Sequence, residues 1–370
     1  MSCSVPLFLP DKFKAALRFL YDRGIPPIAL EALASYLWSS EFACVASRDG
    51  YLRILFDGTC FVFERHLGPC AVWCLSFGWG NLYVSLYGGG VRAFTLSGNL
   101  QLRYNLRSSI SFLCLCCTTT GVCAGSAHST FYVFSPELIL LQQVHLGWLG
   151  AWDGDCYLRQ LNCCIPASGS VLLGSERGVL FRFADPSPSA AARVDVVKRY
   201  PNSAIFCLCF SANRSLLIAG LEHGADVVCA ETFTSIFLVG FPESVWSIST
   251  RPGSDVVLLG LQSAGIVAVE LDLEAIRRHI RTGTLSGDSL YMIQFRLFEM
   301  GTCMAISHAL DGSWYAASNR SRVYFCSAAG TLSSRYVTIP VVEDGDHSGI
   351  PRRDIYDVLV LSGLSEELNL

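Results

Sequence analysis

Three observations predict an all-β fold, a β-propeller of seven blades. Seven eleven-residue segments overlay without a gap: VASRDGYLRIL (Val45–Leu55), then VSLYGGGVRAF from Val84, AGSAHSTFYVF from Ala124, LGSERGVLFRF from Leu173, AGLEHGADVVC from Ala219, LGLQSAGIVAV from Leu259 and AASNRSRVYFC from Ala316. Their starts lie 39, 40, 49, 46, 40 and 57 residues apart, the spacing of a repeated four-stranded blade. In each copy an apolar run ends in Ala, Ser or Gly, a short polar or glycine-rich stretch follows, and a mostly apolar run closes the unit, which is strand, tight turn, strand. Helical repeats of similar length would place apolar residues every three or four positions instead. One blade cannot bury both faces, so the copies must stack around an axis.

Composition agrees with one large core. Of 370 residues, 51% are hydrophobic and 16% charged, which excludes global disorder. A net charge of −4 argues against nucleic acid as a partner, because such binding needs a basic face to displace counterions. The uncharged runs 68–91 and 108–136 each contain a repeat and are broken by turn residues, so buried strands are expected there, not membrane spans. Pro6 and Pro10 flank a very short apolar patch, so no secretory signal is expected and the chain reads as intracellular, cytoplasmic or nuclear. The 17 cysteines are spread through apolar strands, where buried free thiols are the expected state. Cys114 and Cys117 have CxxC spacing, but in a strand they point to opposite faces, and no second pair completes a zinc site.

In chain order, residues 1–29 form an extension, 30–340 the propeller and 341–370 a tail. Asp11 caps, Phe13, Leu17, Leu20 and Tyr21 share a face, and Gly24 stops an amphipathic helix. Leu30 to Ser40 falls where the innermost strand of blade 1 is expected. Blade 1 continues through Phe42 to Leu55 and an outer strand from Phe61 to Leu67; blade 2 spans Val72 to Tyr104, and blade 3 spans Ile110 to Val144. A loop, HLGWLGAWDGDC (145–156), carries Trp148 and Trp152 among glycines. Blade 4 covers Leu158 to Val197, and blade 5 runs from Ile205 to Val239. Blade 6 starts at Val245 and holds an added helix, LDLEAIRRHI (271–280), before an outer strand from Leu290 to Phe298. Blade 7 spans Cys303 to Ile339. Either Ser4 to Leu9 or Asp354 to Ser362 supplies a strand that closes the ring, with the N-terminal segment favoured.

The segments CLCFSANRSLLIAGLEHGADVVC (207–229) and ISHALDGSWYAASNRSRVYFC (306–326) resemble the second and third strands of WD-repeat blades. Asp311 and Gly312 match the family's first turn, and Asp49 and Gly50 its second. The resemblance covers roughly residues 30 to 340 and implies a non-catalytic platform for protein partners. The terminal Trp of the family's blades is replaced by Leu55, Phe94, Phe134, Phe183, Cys229, Val269 and Cys326. Its Gly-His pair and Asp-His-Ser/Thr-Trp network are not evident, so the chain reads as a divergent relative or as a propeller of another family with the same physics.

No GxSxG elbow, P-loop, GxGxxG turn or HExxH motif is present, and neighbouring acids such as Asp153 and Asp155 or Glu343 and Asp344 read as solvated turn formers. No catalytic residue, cofactor or metal is expected. The predicted function is a protein-interaction scaffold, a subunit of a larger intracellular eukaryotic assembly, docking proteins or peptides. Its candidate contact residues lie in the turns between second and third strands: Arg48, Asp49, Tyr87, His128, Glu176, Arg177, Glu222, His223, Asn319, Arg320 and Arg322. Trp148 and Trp152 are candidate anchors, since large aromatics dominate interface hot spots. The alternative is a propeller enzyme or a binder of a small ligand or phosphoinositide, using the channel mouth or the basic helix IRRHIR (276–281), although the Phe-Arg-Arg-Gly signature of phosphoinositide-binding propellers is missing.

Overall fold

Each blade is a meander because its apolar runs are separated by turns too short for anything else. In a computed structural model, residues 3–6, 19, 23, 42–56, 60–95, 101–147, 160–184, 193–282, 290–297, 300–309, 312–327, 332–338, 355–361 and 365–368 are described. Strand β1 (Cys3–Pro6) precedes the ring. Blade 1 contains β2 (Phe42–Ser47), β3 (Tyr51–Phe56) and β4 (Cys60–His66). Blade 2 is β5 (Val72–Gly78), β6 (Asn81–Leu86), β7 (Gly90–Thr95) and β8 (Gln101–Leu106). Blade 3 is β9 (Phe112–Cys117), β10 (Val122–Ser126), β11 (Thr130–Phe134) and β12 (Leu140–His145). Blade 4 is β13 (Leu161–Ala167), β14 (Ser170–Ser175), β15 (Val179–Ala184) and β16 (Arg193–Arg199). Blade 5 is β17 (Cys207–Phe210), β18 (Leu216–Leu221), β19 (Gly224–Cys229) and β20 (Ser235–Gly240). Blade 6 is β21 (Val245–Thr250), β22 (Val256–Leu261), β23 (Gly265–Leu271), helix α1 (Leu273–Thr282) and β24 (Tyr291–Leu297). Blade 7 is β25 (Ala305–His308), β26 (Trp314–Ser318), β27 (Arg322–Ser327) and β28 (Leu332–Thr338). Two strands follow, β29 (Ile355–Leu361) and β30 (Ser365–Leu368). All seven predicted repeats are second-strand, turn, third-strand units.

The closure corrects two expectations. The innermost strand of blade 1 is β29, paired antiparallel to β2 with Val45 opposite Val358. Leu30 to Ser40, expected in that place, lies outside the described residues, and the place itself is filled. The favoured N-terminal segment is not the closing strand either: β1 pairs with β30 in a separate two-stranded sheet. The ring therefore takes in a stretch beyond residue 340. The physical reason is continuity, because at every junction an outer strand is followed by the inner strand of the next blade, and β28 is followed by β29 in the same way. Of the predicted N-terminal helix, only Phe19 and Arg23 are described, with the Arg23 N–H donating to the Phe19 carbonyl at 3.1 Å.

The described core residues fall into seven clusters, one at each blade junction. The last joins blade 7 to blade 1 through Ala305, Ala316, Val323, Ile355 and Val358. The positions at which the WD pattern has Trp are filled by smaller buried groups, among them Leu55, Phe94, Phe134 and Phe183. Cys114 packs in the junction of blades 3 and 4 and Cys117 against that of blades 2 and 3, on opposite faces of β9.

Inner strands explain much of the cysteine content. At equivalent positions near their starts stand Cys74, Cys114, Cys163, Cys207, Ser247, Ala305 and Asp357. A small residue faces this slot from the second strand: a Cβ on Gly125 would lie 2.6 Å from the Cys114 sulfur, and one on Gly174 2.6 Å from that of Cys163. A thiol fits such a slot as a small apolar group with a weak donor. The Cys114 and Cys207 thiols donate to the carbonyls of Leu161 and Val245 in the next blade (3.6 and 3.5 Å). Other inner-strand ties join the remaining junctions: the Ser76 hydroxyl to Cys117, Asn162 Nδ2–H to the Ile205 carbonyl, Ser249 with His308, and the Val360 N–H to Ser307 Oγ. Between blades 1 and 2, the Leu75 N–H donates to Asp357 Oδ2 at 2.8 Å.

Helix α1 begins where Asp272 caps it, its Oδ1 accepting from the Ala275 N–H at 2.9 Å. Ala275 and Ile276 are buried, while Arg277, Arg278 and Arg281 are exposed. The helix lies over the outer strands of blades 5 and 6, away from the channel.

Candidate protein-docking face

Strand directions alternate within a blade. Every turn between second and third strands, and every connection from an outer strand to the next inner strand, therefore opens on one face of the ring. That face carries the predicted turn residues. Tyr87 (49% exposed), His128, Arg177, His223, Arg320 and Arg322 are exposed there, and Arg48, Glu176, Glu222 and Asn319 are half-buried. The guanidinium of Arg322 lies 4.6 Å over the Tyr336 ring.

Several of these side chains hold the turns in shape. Asn319 Oδ1 accepts from the N–H groups of Ser321 and Arg322, and its Nδ2–H donates to the Met300 carbonyl at 3.1 Å. Glu222 Oε1 accepts from the Ala204 N–H at 3.4 Å. Asp49 is committed most deeply: its carboxylate, 7% exposed, receives Arg53 Nη2–H at 2.7 Å. Arg53 is fully buried and also donates to Ser47 Oγ (2.8 Å) and Glu64 Oε2 (2.9 Å). Gly50 completes the turn at φ +80°, and a Cβ there would collide with the Gly68 carbonyl. The sequence reading finds no WD-type polar network, and blade 1 builds a different one from Ser47, Asp49, Arg53 and Glu64. Trp148 and Trp152 lie outside the described residues.

At the centre of this face the channel opens into a cavity of about 360 Å³. Its lining includes Trp73, Leu113, Asn162, Phe206, Trp246 and Met304, the second residue of the inner-strand start in blades 2 to 7, with the row of Cys74, Cys114, Cys163 and Cys207 and with Asp357. Phe206 and Trp246 have ring centroids 6.4 Å apart, and Trp73 lies 5.4 Å from the exposed Tyr87. None of the predicted turn residues lines the cavity, so the polar convergence that an enzyme or small-ligand reading requires is not formed by them. Among the described residues, no basic one lines it either. Sequence reasoning missed this ring of aromatics and the carboxylate, although aligning the inner-strand starts as VWCL, FLCL, LNCC, IFCL, VWSI, CMAI and IYDV would have placed them together.

Among the described residues of the lining, Asp357 is the one that is charged. Burial pushes its carboxyl from the ordinary 3.8 up to about 6, against hydrogen bonds from the Leu75 N–H, the Cys74 thiol and the Val358 N–H. Burial and the Asp357 charge push the Cys44 thiol up to about 12 and that of Cys74 well above the thiol range, so both stay neutral. A raised carboxyl pKa favours the protonated form in the fold. The associated stability is complete below about pH 4 and is lost as pH rises through 6. Asp357→Asn is therefore expected to melt at the same temperature as the natural chain at pH 4.5 and higher at pH 7.5. The gain is up to about 3 kcal/mol and smaller to the extent that channel water reaches the carboxylate. Thermal melts of both proteins across this range check it, and a pH-independent difference refutes it.

Ser249 Oγ and His308 Nδ1 stand 2.8 Å apart between blades 6 and 7, a geometry seen in nucleophile and base pairs. Burial first, and then the charge of Arg251, hold the imidazole down to about 4. No carboxylate is bonded to His308 among the described residues, and Val360 N–H to Ser307 continues the same run of inter-blade ties. Its observed work is to join two blades.

Comparison with known protein families finds no match, and no curated protein matches the sequence. Solved structures do match. A computationally designed protein, Ika8, is similar over 86% of this chain and 95% of its own, with TM-score 0.56 and 15% identity. A chain in the crystal structure of a Mitotic Checkpoint Complex covers 74% of this chain and 78% of its own, at TM-score 0.55 and 12% identity. The Cps50 (Swd1) β-propeller domain of Myceliophteria thermophila covers 73% and 86%, at 0.56 and 13%. At these identities the likeness is one of fold, and with the turns, strand order and closed ring above, the chain is a seven-bladed β-propeller.

Proposed function

We propose that this chain is a non-catalytic interaction platform, a subunit of a larger intracellular eukaryotic assembly, that docks protein partners on the face described above. The observation that carries this reading is the circle of exposed turn tips, Tyr87, His128, Arg177, His223 and Arg320, surrounding an aromatic channel mouth. Loops from many blades held on a rigid ring suit a broad protein surface. That a similar fold occurs in a Mitotic Checkpoint Complex structure supports a place within an assembly. Affinity purification of the tagged chain from its own cells, read by mass spectrometry, is expected to recover a stoichiometric partner set. The variant Arg177→Glu, His223→Glu, Arg320→Glu should lose that set while keeping its melting temperature. If no set is recovered, or if the rim variant retains it, the reading fails.

A further inference from the structure

In its described lining, the central cavity combines a single negative charge with aromatic walls. Asp357 sits on the closing strand and is held by neutral donors, the Leu75 and Val358 N–H groups and the Cys74 thiol. Among the described residues, the rest of the lining carries no Lys, Arg or His. A carboxylate drawn out of water needs a cation or a proton, and none of the described lining residues supplies the cation. Trp73, Phe206 and Trp246 are each half-buried in the lining of the same cavity. Its volume of about 360 Å³ falls within the range of specific side-chain and ligand pockets.

We propose that this channel mouth is a socket for an arginine side chain of a protein partner, with the guanidinium meeting Asp357 and its plane and stem packing on Trp73, Phe206 and Trp246. Arginine fits better than lysine because its planar, weakly hydrated fork pairs with a carboxylate while stacking on aromatic rings, and it keeps its charge when buried. Among the described lining residues, the Asp357 carboxylate is the only counter-charge. Acidic and phosphorylated partners are excluded from the socket by the same charge. The inference rests on the reading of this face as the protein-docking face.

The test uses the full chain labelled with 5-fluorotryptophan and titrated with N-acetyl-arginine methylamide, its lysine counterpart and its neutral isostere, the citrulline counterpart. Fluorine resonances are assigned with Trp73→Phe and Trp246→Phe. The arginine compound is expected to shift the Trp73 and Trp246 signals saturably, the lysine compound at least threefold more weakly, and the citrulline compound not at all. Asp357→Asn should weaken the arginine response at least tenfold, and Trp246→Leu should weaken it as well, so that the result does not hang on one variant. No shift at saturating concentration, an equal response to citrulline or lysine, or an unchanged response in Asp357→Asn overturns the proposal. Retained partners in Asp357→Asn together with lost partners in the rim variant would sink the socket alone. Recovery of no partners would sink the platform reading, while the titration still decides the socket.

Discussion

Removal of residues 355–370 is expected to abolish a single cooperative melting transition, whereas removal of residues 1–6 should leave that transition in place; this is the largest effect expected of any change to the chain. Strand β29 supplies the inner edge of blade 1, and Ile355, Val358 and Val360 are 0%, 3% and 7% exposed. At about 1.5–3 kcal/mol for each buried side chain, these three contribute on the order of 5–9 kcal/mol. A protein of this kind has roughly 5–15 kcal/mol in total. Loss of the strand also leaves the inner edge of β2 unpaired and opens the junction of blades 7 and 1. Calorimetry of the two truncations checks this. A truncation at 354 that still melts in one sharp transition near the temperature of the full chain contradicts it. Val358→Asp, which places an unpaired carboxylate in that junction, is the milder version in the intact chain and should lower the midpoint markedly.

Arg53→Ala should cost about 3–5 kcal/mol, because it removes the cation from a buried network and leaves its partners charged. Asp49, Ser47 and Glu64 all converge on this guanidinium within 2.7–2.9 Å, and the ring of Tyr51 lies 4.7 Å from it. The double variant Arg53→Met, Asp49→Asn removes both charges and is expected to recover part of the loss, since a neutral replacement of a buried pair is far cheaper than breaking it. Urea unfolding of the two proteins measures both numbers. A cost below about 1 kcal/mol would place the network among ordinary surface pairs and refute its structural role.

The blades were readable because each turn between second and third strands is a local event. Asp49-Gly50, Gly88-Gly89-Gly90 and His223-Gly224 announce their turns within four residues, and the flanking apolar runs have the length of strands. Closure was not readable in the same way. Leu30 to Ser40 has the spacing of an inner strand, while the actual partner of β2 is more than three hundred residues away in sequence, and no local pattern specifies such a pairing. The site was hidden for a related reason. Trp73, Phe206, Trp246 and Asp357 each look like the second or third residue of an apolar strand, and only the closed ring brings the seven strand starts around one cavity. The turn residues were found, but sequence does not separate those that face solvent, such as His128 and Arg320, from Asp49 and Asn319, whose polar atoms are used within their own turns.

The claim at the centre is that partners dock on the face of the second-to-third turns. Photo-cross-linking measures this directly: a benzoylphenylalanine is placed in the full chain at position 128, 177 or 320 on that face, or at 120 or 168 in first-to-second turns on the other, and irradiated in the native cells. His128, Arg177, Arg320, Thr120 and Ser168 are all exposed, so substitution at each should leave the ring intact. Discrete adducts to the same proteins from positions 128, 177 and 320, with none from 120 and 168, are the predicted result. Adducts only from 120 and 168 would contradict it and move the docking surface to the opposite face.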